Sequence, residues 1–128
     1  MNIIWFNADK KSKNCIATIY ENNITLNKYT CNLIENVYSV MLGLDYDKKI
    51  LIIKPLSKDL ATRGDIPTKS QYVITIRNSY GRISNTDIIR EIKKIIDIKS
   101  LKETPKKFHV KWEDSISALS INLNEEVY

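Results

Sequence analysis
The chain has 128 residues, of which 43% are hydrophobic and 27% charged, and carries a net charge of +5. That length bounds it to one compact unit, or two very small ones sharing a core, and the composition is too apolar for general disorder. No apolar run reaches the roughly 18–20 residues that a bilayer-crossing helix needs, and Ile3-Ile4-Trp5-Phe6 is far too short for a signal-peptide core, so a cytoplasmic chain with no membrane role is expected.

In chain order, residues 1–14 form an N-terminal segment ahead of the first clear unit. Ile16 to Tyr20 has β-branched and aromatic character, Glu21-Asn22-Asn23 supplies a turn, and Ile24-Thr25-Leu26 resumes a strand. Asn27 offers an N-cap to a helix carrying Thr30, Leu33, Ile34 and Val37 on one face. Tyr38, Val40, Leu42, Leu44 and Tyr46 then alternate as a strand. Asp47-Lys48-Lys49 turns the chain into Ile50–Ile53, which Pro55 is expected to stop. Residues 57–71 read as a linker with one short helical turn around Leu60, and Arg63-Gly64-Asp65 within it reads as loop composition.

The same order then returns. Tyr72, Ile74 and Ile76 alternate, Asn78-Ser79-Tyr80-Gly81 turns, and Arg82-Ile83 begins the return strand. Ser84-Asn85-Thr86-Asp87 resembles a capping box opening a helix with Ile88, Ile89, Ile92, Ile95 and Ile96 on one face. Pro105 ends that helical stretch; Phe108, Val110 and Trp112 alternate, Glu113-Asp114-Ser115 turns, and Leu119, Ile121 and Leu123 alternate again. The expectation is an α+β fold of two ββαββ units, residues 15–56 and 72–128, sharing one core. Matching positions such as Ile19 and Ile76, Ile24 and Ile83, and Val40 and Val110 lie 57, 59 and 70 apart. One such unit is too small to bury a stable core by itself, which favours two copies packing together.

Several chemistries find no support. Three glycines, Gly43, Gly64 and Gly81, cannot assemble a phosphate-cradling loop. The single histidine, His109, sits between Phe108 and Val110 and reads as structural; it cannot by itself make a His-rich metal site. Cys15 and Cys31 have no metal-ligand spacing and read as small buried hydrophobes. No enzyme, metal or cofactor is expected.

A strand, a turn ending in Gly81-Arg82-Ile83-Ser84, a short helix and a two-stranded hairpin is similar to the swapped-hairpin AbrB-like domain, the DNA-binding module of AbrB-type and SpoVT-like regulators and MazE-type antitoxins. Residues 38–55 look like the hairpin of the first copy. The resemblance implies a small pseudo-two-fold β-barrel with short helices, made here within one chain as in the MraZ-type proteins, and double-stranded DNA as the partner.

Lysine outnumbers arginine sixteen to four, with isoleucine and asparagine abundant, the pattern that AT-rich coding produces. Against that background the arginines are informative: Arg77, Arg82 and Arg90 cluster in the second copy, and ten basic residues but four acidic ones lie between Arg77 and Lys111. A guanidinium suits phosphate oxygens and the guanine edge. Arg82 matches the arginine of the family motif. The candidate DNA contacts are therefore Arg77, Tyr80, Arg82, Arg90, Lys93 and Lys94. The other reading is a protein-interaction module on the same scaffold, an adaptor or inhibitor of phage or mobile-element type. The first copy carries Asn22-Asn23 where Gly-Arg would stand, and Trp5-Phe6 is an apolar pair available to a partner.

Overall fold
A computed structural model describes residues 1–5, 14–96 and 104–127. Among them are eight strands, all antiparallel, and three short helices, an α+β arrangement in which one sheet curls into a half-barrel. The strands are β1 (Ile16–Ile19), β2 (Asn23–Asn27), β3 (Ser39–Asp45), β4 (Ile50–Leu56), β5 (Thr75–Ile76), β6 (Tyr80–Ser84), β7 (Lys106–Glu113) and β8 (Ala118–Val127). The helices are α1 (Lys28–Asn32), α2 (Lys58–Thr62) and α3 (Thr86–Ile95), with a single 3-10 turn at Thr68–Ser70. Strand order across the sheet is β3-β4-β8-β7-β1-β2-β6-β5.

Period-two alternation sets which residues enter the core. Ala17, Ile19, Ile24, Leu26, Leu51, Ile53, Ile83, Phe108, Leu119 and Ile121 all point inward and are buried. α3 supplies Ile88, Ile89 and Ile92 to the same cluster. The two edges of the sheet meet at one place, where Val40 and Tyr72 exchange backbone hydrogen bonds of 3.0 and 2.8 Å.

Several expectations need correction. α1 is capped by Asn27 as expected but has only five residues. Asn36, at φ 62°, turns the chain toward β3, so Leu33 is left exposed while Thr30 and Ile34 are buried. Asparagine tolerates that left-handed conformation better than most residues. Tyr38 and Tyr46 flank β3 and are exposed; Leu42 and Leu44 are half-buried against the core. Pro55 does not stop β4, which runs through it to Leu56. Opposite it, Val40 directs its N–H and C=O to Tyr72, so the ladder with β3 asks no N–H of Pro55. On the other side the β4–β8 pairing has already ended at Ile53.

The segment 57–71 contains the expected turn of helix around Leu60, capped by Ser57, and is tied down by Gln71. The Gln71 amide donates to the Ala61 and Ile66 carbonyls at 2.9 and 3.1 Å and accepts from Ser39 Oγ at 2.8 Å. The strand expected from Tyr72 to Ile76 pairs with β6 only at Thr75 and Ile76, because Tyr72 is engaged with β3. The cap of α3 is Asn85, not Ser84: its side chain accepts from Ile88 N at 3.0 Å, while Ser84 remains in register with Asn23 in the sheet. Ile24 and Ile83, matched as repeat equivalents from the sequence, are instead directly opposite each other on β2 and β6. The helix ends at Ile95, with Ile96 already extended.

Cys15 and Cys31 are free and half-buried against the core rather than fully enclosed, and burial pushes the Cys31 thiol above its ordinary range. His109 faces solvent, so it does not serve the core. A side chain at Gly81 would bring its Cβ within 2.9 Å of both Cys31 Sγ and Ile76 Cδ1. The glycine therefore admits α1 and β5 close to β6, which is a packing role.

Candidate nucleic-acid interface
β6 positions the central residues of the candidate site. Gly81 and Ile83 enter the core, so Arg82 must leave on the outer face, with Tyr80 two residues before it on the same side. The Arg82 guanidinium lies over the Tyr80 ring, 5.1 Å from its centroid. This contact restrains the arginine while its N–H edges stay available to acceptors. Arg77 stands at the start of the β5–β6 turn, where its backbone N–H donates to the Tyr80 carbonyl at 2.7 Å, and its side chain is exposed.

The sheet adds residues that motif reading passed over. Lys107 is in register with Thr18, Thr18 with Thr25, Thr25 with Arg82, and Arg82 with Thr75. These five side chains form one transverse row on the face away from the core, polar throughout, with Thr18 buried, Thr25 half-buried, an exposed cation in β7 and another in β6. At the usual strand spacing the two cations are ~14 Å apart. Beside the row lies an open hollow of about 420 Å³ bordered by Asn14, Ile16, Thr18, Asn27, Lys107 and His109. The signal present in the sequence was the polar alternation Asn23, Thr25, Asn27 along β2; the registers that join it to Arg82 were not.

The remaining candidates are on α3. Arg90, Lys93 and Lys94 project from its solvent side, since Ile88, Ile89 and Ile92 turn the other side into the core shared with Ile83. They are thus separated by the core from the Arg82 row, and the six candidates make two groups. Arg90 pairs with Asp87 at 3.2 Å and Lys94 with Glu91 at 2.7 Å. Exposed pairs of this kind hold their charges weakly.

Glu91 also accepts a 2.7 Å hydrogen bond from the Tyr46 hydroxyl, which fastens α3 to the end of β3. Hydrogen bonds from Lys94 and Tyr46 hold the Glu91 carboxyl below its ordinary range, and their bond to Glu91 raises both Tyr46 and Lys94. A depressed carboxyl stabilises the fold above its unfolded pKa and loses that effect as pH falls through its folded value. A raised phenol or ammonium contributes below its unfolded pKa and loses that contribution as pH rises through its folded value. Glu91→Gln should therefore lower the melting temperature most near neutral pH. The gap to the parent protein should narrow below about pH 4 and above about pH 10. A gap independent of pH in thermal melts would place the bond's contribution elsewhere.

Among the described residues no three His, Cys, Asp or Glu side chains gather in a metal-holding group, and no helix is long and apolar enough to cross a membrane. No protein-family model, curated protein or solved structure matches the chain.

Proposed function
We propose that this chain is a non-enzymatic, sequence-specific DNA-binding regulator of the AbrB-like type, built from two ββαββ units in one polypeptide and contacting duplex DNA through the Arg82 row. Support for the duplication comes from the strand pairing. Exchange β1–β4 for β5–β8 one for one. The β1–β2 hairpin becomes β5–β6, β3–β4 becomes β7–β8, and the β2–β6 and β4–β8 ladders map onto themselves. The β1–β7 ladder becomes the bridge of Tyr72 to β3.

Single hydrogen bonds follow the same exchange. Tyr20 N donates to Asn23 O at 2.9 Å, as Arg77 N does to Tyr80 O at 2.7 Å. Val110 N donates to Cys15 O at 2.9 Å, as Val40 N does to Tyr72 O at 3.0 Å. Asn27 and Asn85 cap the two helices through Thr30 N and Ile88 N at 3.1 and 3.0 Å. Unrelated strands have no reason to repeat their ladders in this way, whereas two copies of one unit do.

The observation that carries the DNA reading is the stacked, outward Arg82 within a polar row beside the β2–β6 junction. An oriented guanidinium matches phosphate oxygens or a guanine edge, and the threonines beside it donate and accept. Arg77 and Lys107 extend the positive surface. Because exposed ion pairs release their partners at little cost, Arg90 and Lys94, with Lys93, can add salt-dependent affinity at a second face.

The test is Arg82→Ala, with binding to a mixed pool of short duplexes followed by fluorescence anisotropy at low and moderate salt. Affinity should fall by about tenfold, in the range of one lost bidentate contact, with thermal melting unchanged because the side chain is exposed. Unchanged affinity would remove Arg82 from the contact surface. A second reading, a protein-interaction module, is favoured by the N-terminal segment, where Ile4 and Trp5 are 80% and 84% exposed. In that case Trp5→Ala abolishes capture of a protein partner while DNA binding is absent at low salt.

A further inference from the structure
We infer that, beyond the central Arg82 row, only the β5–β6 tip of the pseudo-symmetric outer face engages DNA and the β1–β2 tip does not, so that the chain recognises a single half-site without dyad symmetry. This rests on the DNA-binding reading above and adds which hairpin tip acts. β2 and β6 run antiparallel, with Asn27 opposite Tyr80 and Asn23 opposite Ser84, so the two hairpin tips lie at opposite ends of their ladder. Four residues of strand separate those ends by ~14 Å.

The tips share their backbone geometry but not their chemistry. The matching hydrogen bonds make Tyr20 the counterpart of Arg77 and Asn23 that of Tyr80, and the same offset pairs Glu21 with Asn78 and Thr25 with Arg82. One tip therefore offers a phosphate a guanidinium and an aromatic ring. The other offers an exposed carboxylate, Glu21, and neutral side chains. Phosphate is drawn to the first and repelled by the second.

The centre explains why the halves diverged. Thr25 and Arg82 are directly opposite each other in the ladder, so the pseudo-dyad passes between them. Two arginines there would be like charges in directly opposed positions, which destabilises a sheet. A symmetric homodimer cannot change one side alone, because both sides are the same residue. A duplicated chain can, and here it keeps one arginine and one threonine.

The experiment is selection of bound sites by the full chain from a pool of duplexes with a random central segment, followed by affinity measurements on the enriched site. Expected is one block of preferred bases with no inverted repeat. Arg77→Ala should weaken binding to it by about fivefold, while Tyr20→Ala and Glu21→Gln stay within about twofold. All three positions are exposed, and thermal melts check that each variant folds. An enriched inverted repeat, or equal losses at Tyr20 and Arg77, would overturn the inference. Failure to enrich any sequence, together with unaltered binding by Arg82→Ala, would remove the DNA-binding reading itself and this inference with it.

Discussion

Replacing Ile83 with alanine is expected to lower the unfolding free energy by about 2–5 kcal/mol, the range for emptying a fully enclosed isoleucine site. Ile83 is 0% exposed and lies opposite Ile24, which is also 0% exposed, on the β2–β6 ladder. α3 supplies Ile88, Ile89 and Ile92 to the same cluster, so few neighbours are free to collapse into the space. Since domains of this kind have total stabilities of about 5–15 kcal/mol, the loss approaches the threshold for folding. Ile83→Val should cost only about 0.5–1.5 kcal/mol. Urea denaturation of the three proteins checks this; a loss under about 1 kcal/mol for alanine would mean that the site repacks. The variant also controls for Arg82, its neighbour on the opposite face. Under the proposed function, Ile83→Ala should reduce DNA binding only as far as it unfolds the chain, whereas Arg82→Ala should reduce it with stability intact.

Asn27→Ala should cost about 2–3 kcal/mol, more than the ~1 kcal/mol typical of a lost helix cap. The reason is that this side chain serves α1, β1 and the chain just ahead of β1. Its Oδ1 accepts from Thr30 N at 3.1 Å, from Thr30 Oγ1 at 2.6 Å and from Ile16 N at 3.1 Å. Its Nδ2 donates to the Asn14 carbonyl at 2.6 Å. Removing it uncaps α1 and takes a partner from the first residue of β1. Asn27→Asp retains the acceptor oxygen and loses only the bond to Asn14, so it should recover most of the difference. If aspartate were no better than alanine in denaturant melts, the bonds to α1 and β1 would not be the source of the effect.

Asn85, the corresponding cap on α3, makes the comparison instructive. It has the same bond to the N–H three residues on, at 3.0 Å. The sequence pointed one residue earlier, to Ser84, because serine with a following acidic residue is a recognised helix start. The sheet decided otherwise: Ser84 stays opposite Asn23 as the last residue of β6, and the helix can begin only after it. Capping preference is a local quantity of about 1 kcal/mol, and extending a ladder by one residue is enough to move it.

Local chemistry alone determined the order of elements, because alternation of apolar residues, turn residues and caps act over a few positions. The β1–β2 and β7–β8 hairpins, the Asn27 cap, the isoleucine face of α3 and the helical turn near Leu60 could all be read from neighbouring residues. The same holds for singling out Tyr80 and Arg82 within the Gly81-Arg82-Ile83-Ser84 stretch. What only the tertiary structure decided was register and edge. That Pro55 lies within a strand depends on Val40 turning to Tyr72; that Leu33 is exposed depends on where Asn36 redirects the chain. The row Lys107, Thr18, Thr25, Arg82 and Thr75 draws on five strands from three separate stretches of the sequence, and the division of the six candidate residues between two faces depends on which side of α3 the core occupies. Long-range pairing is settled by burying the whole apolar set at once, a collective quantity that no short window of sequence contains.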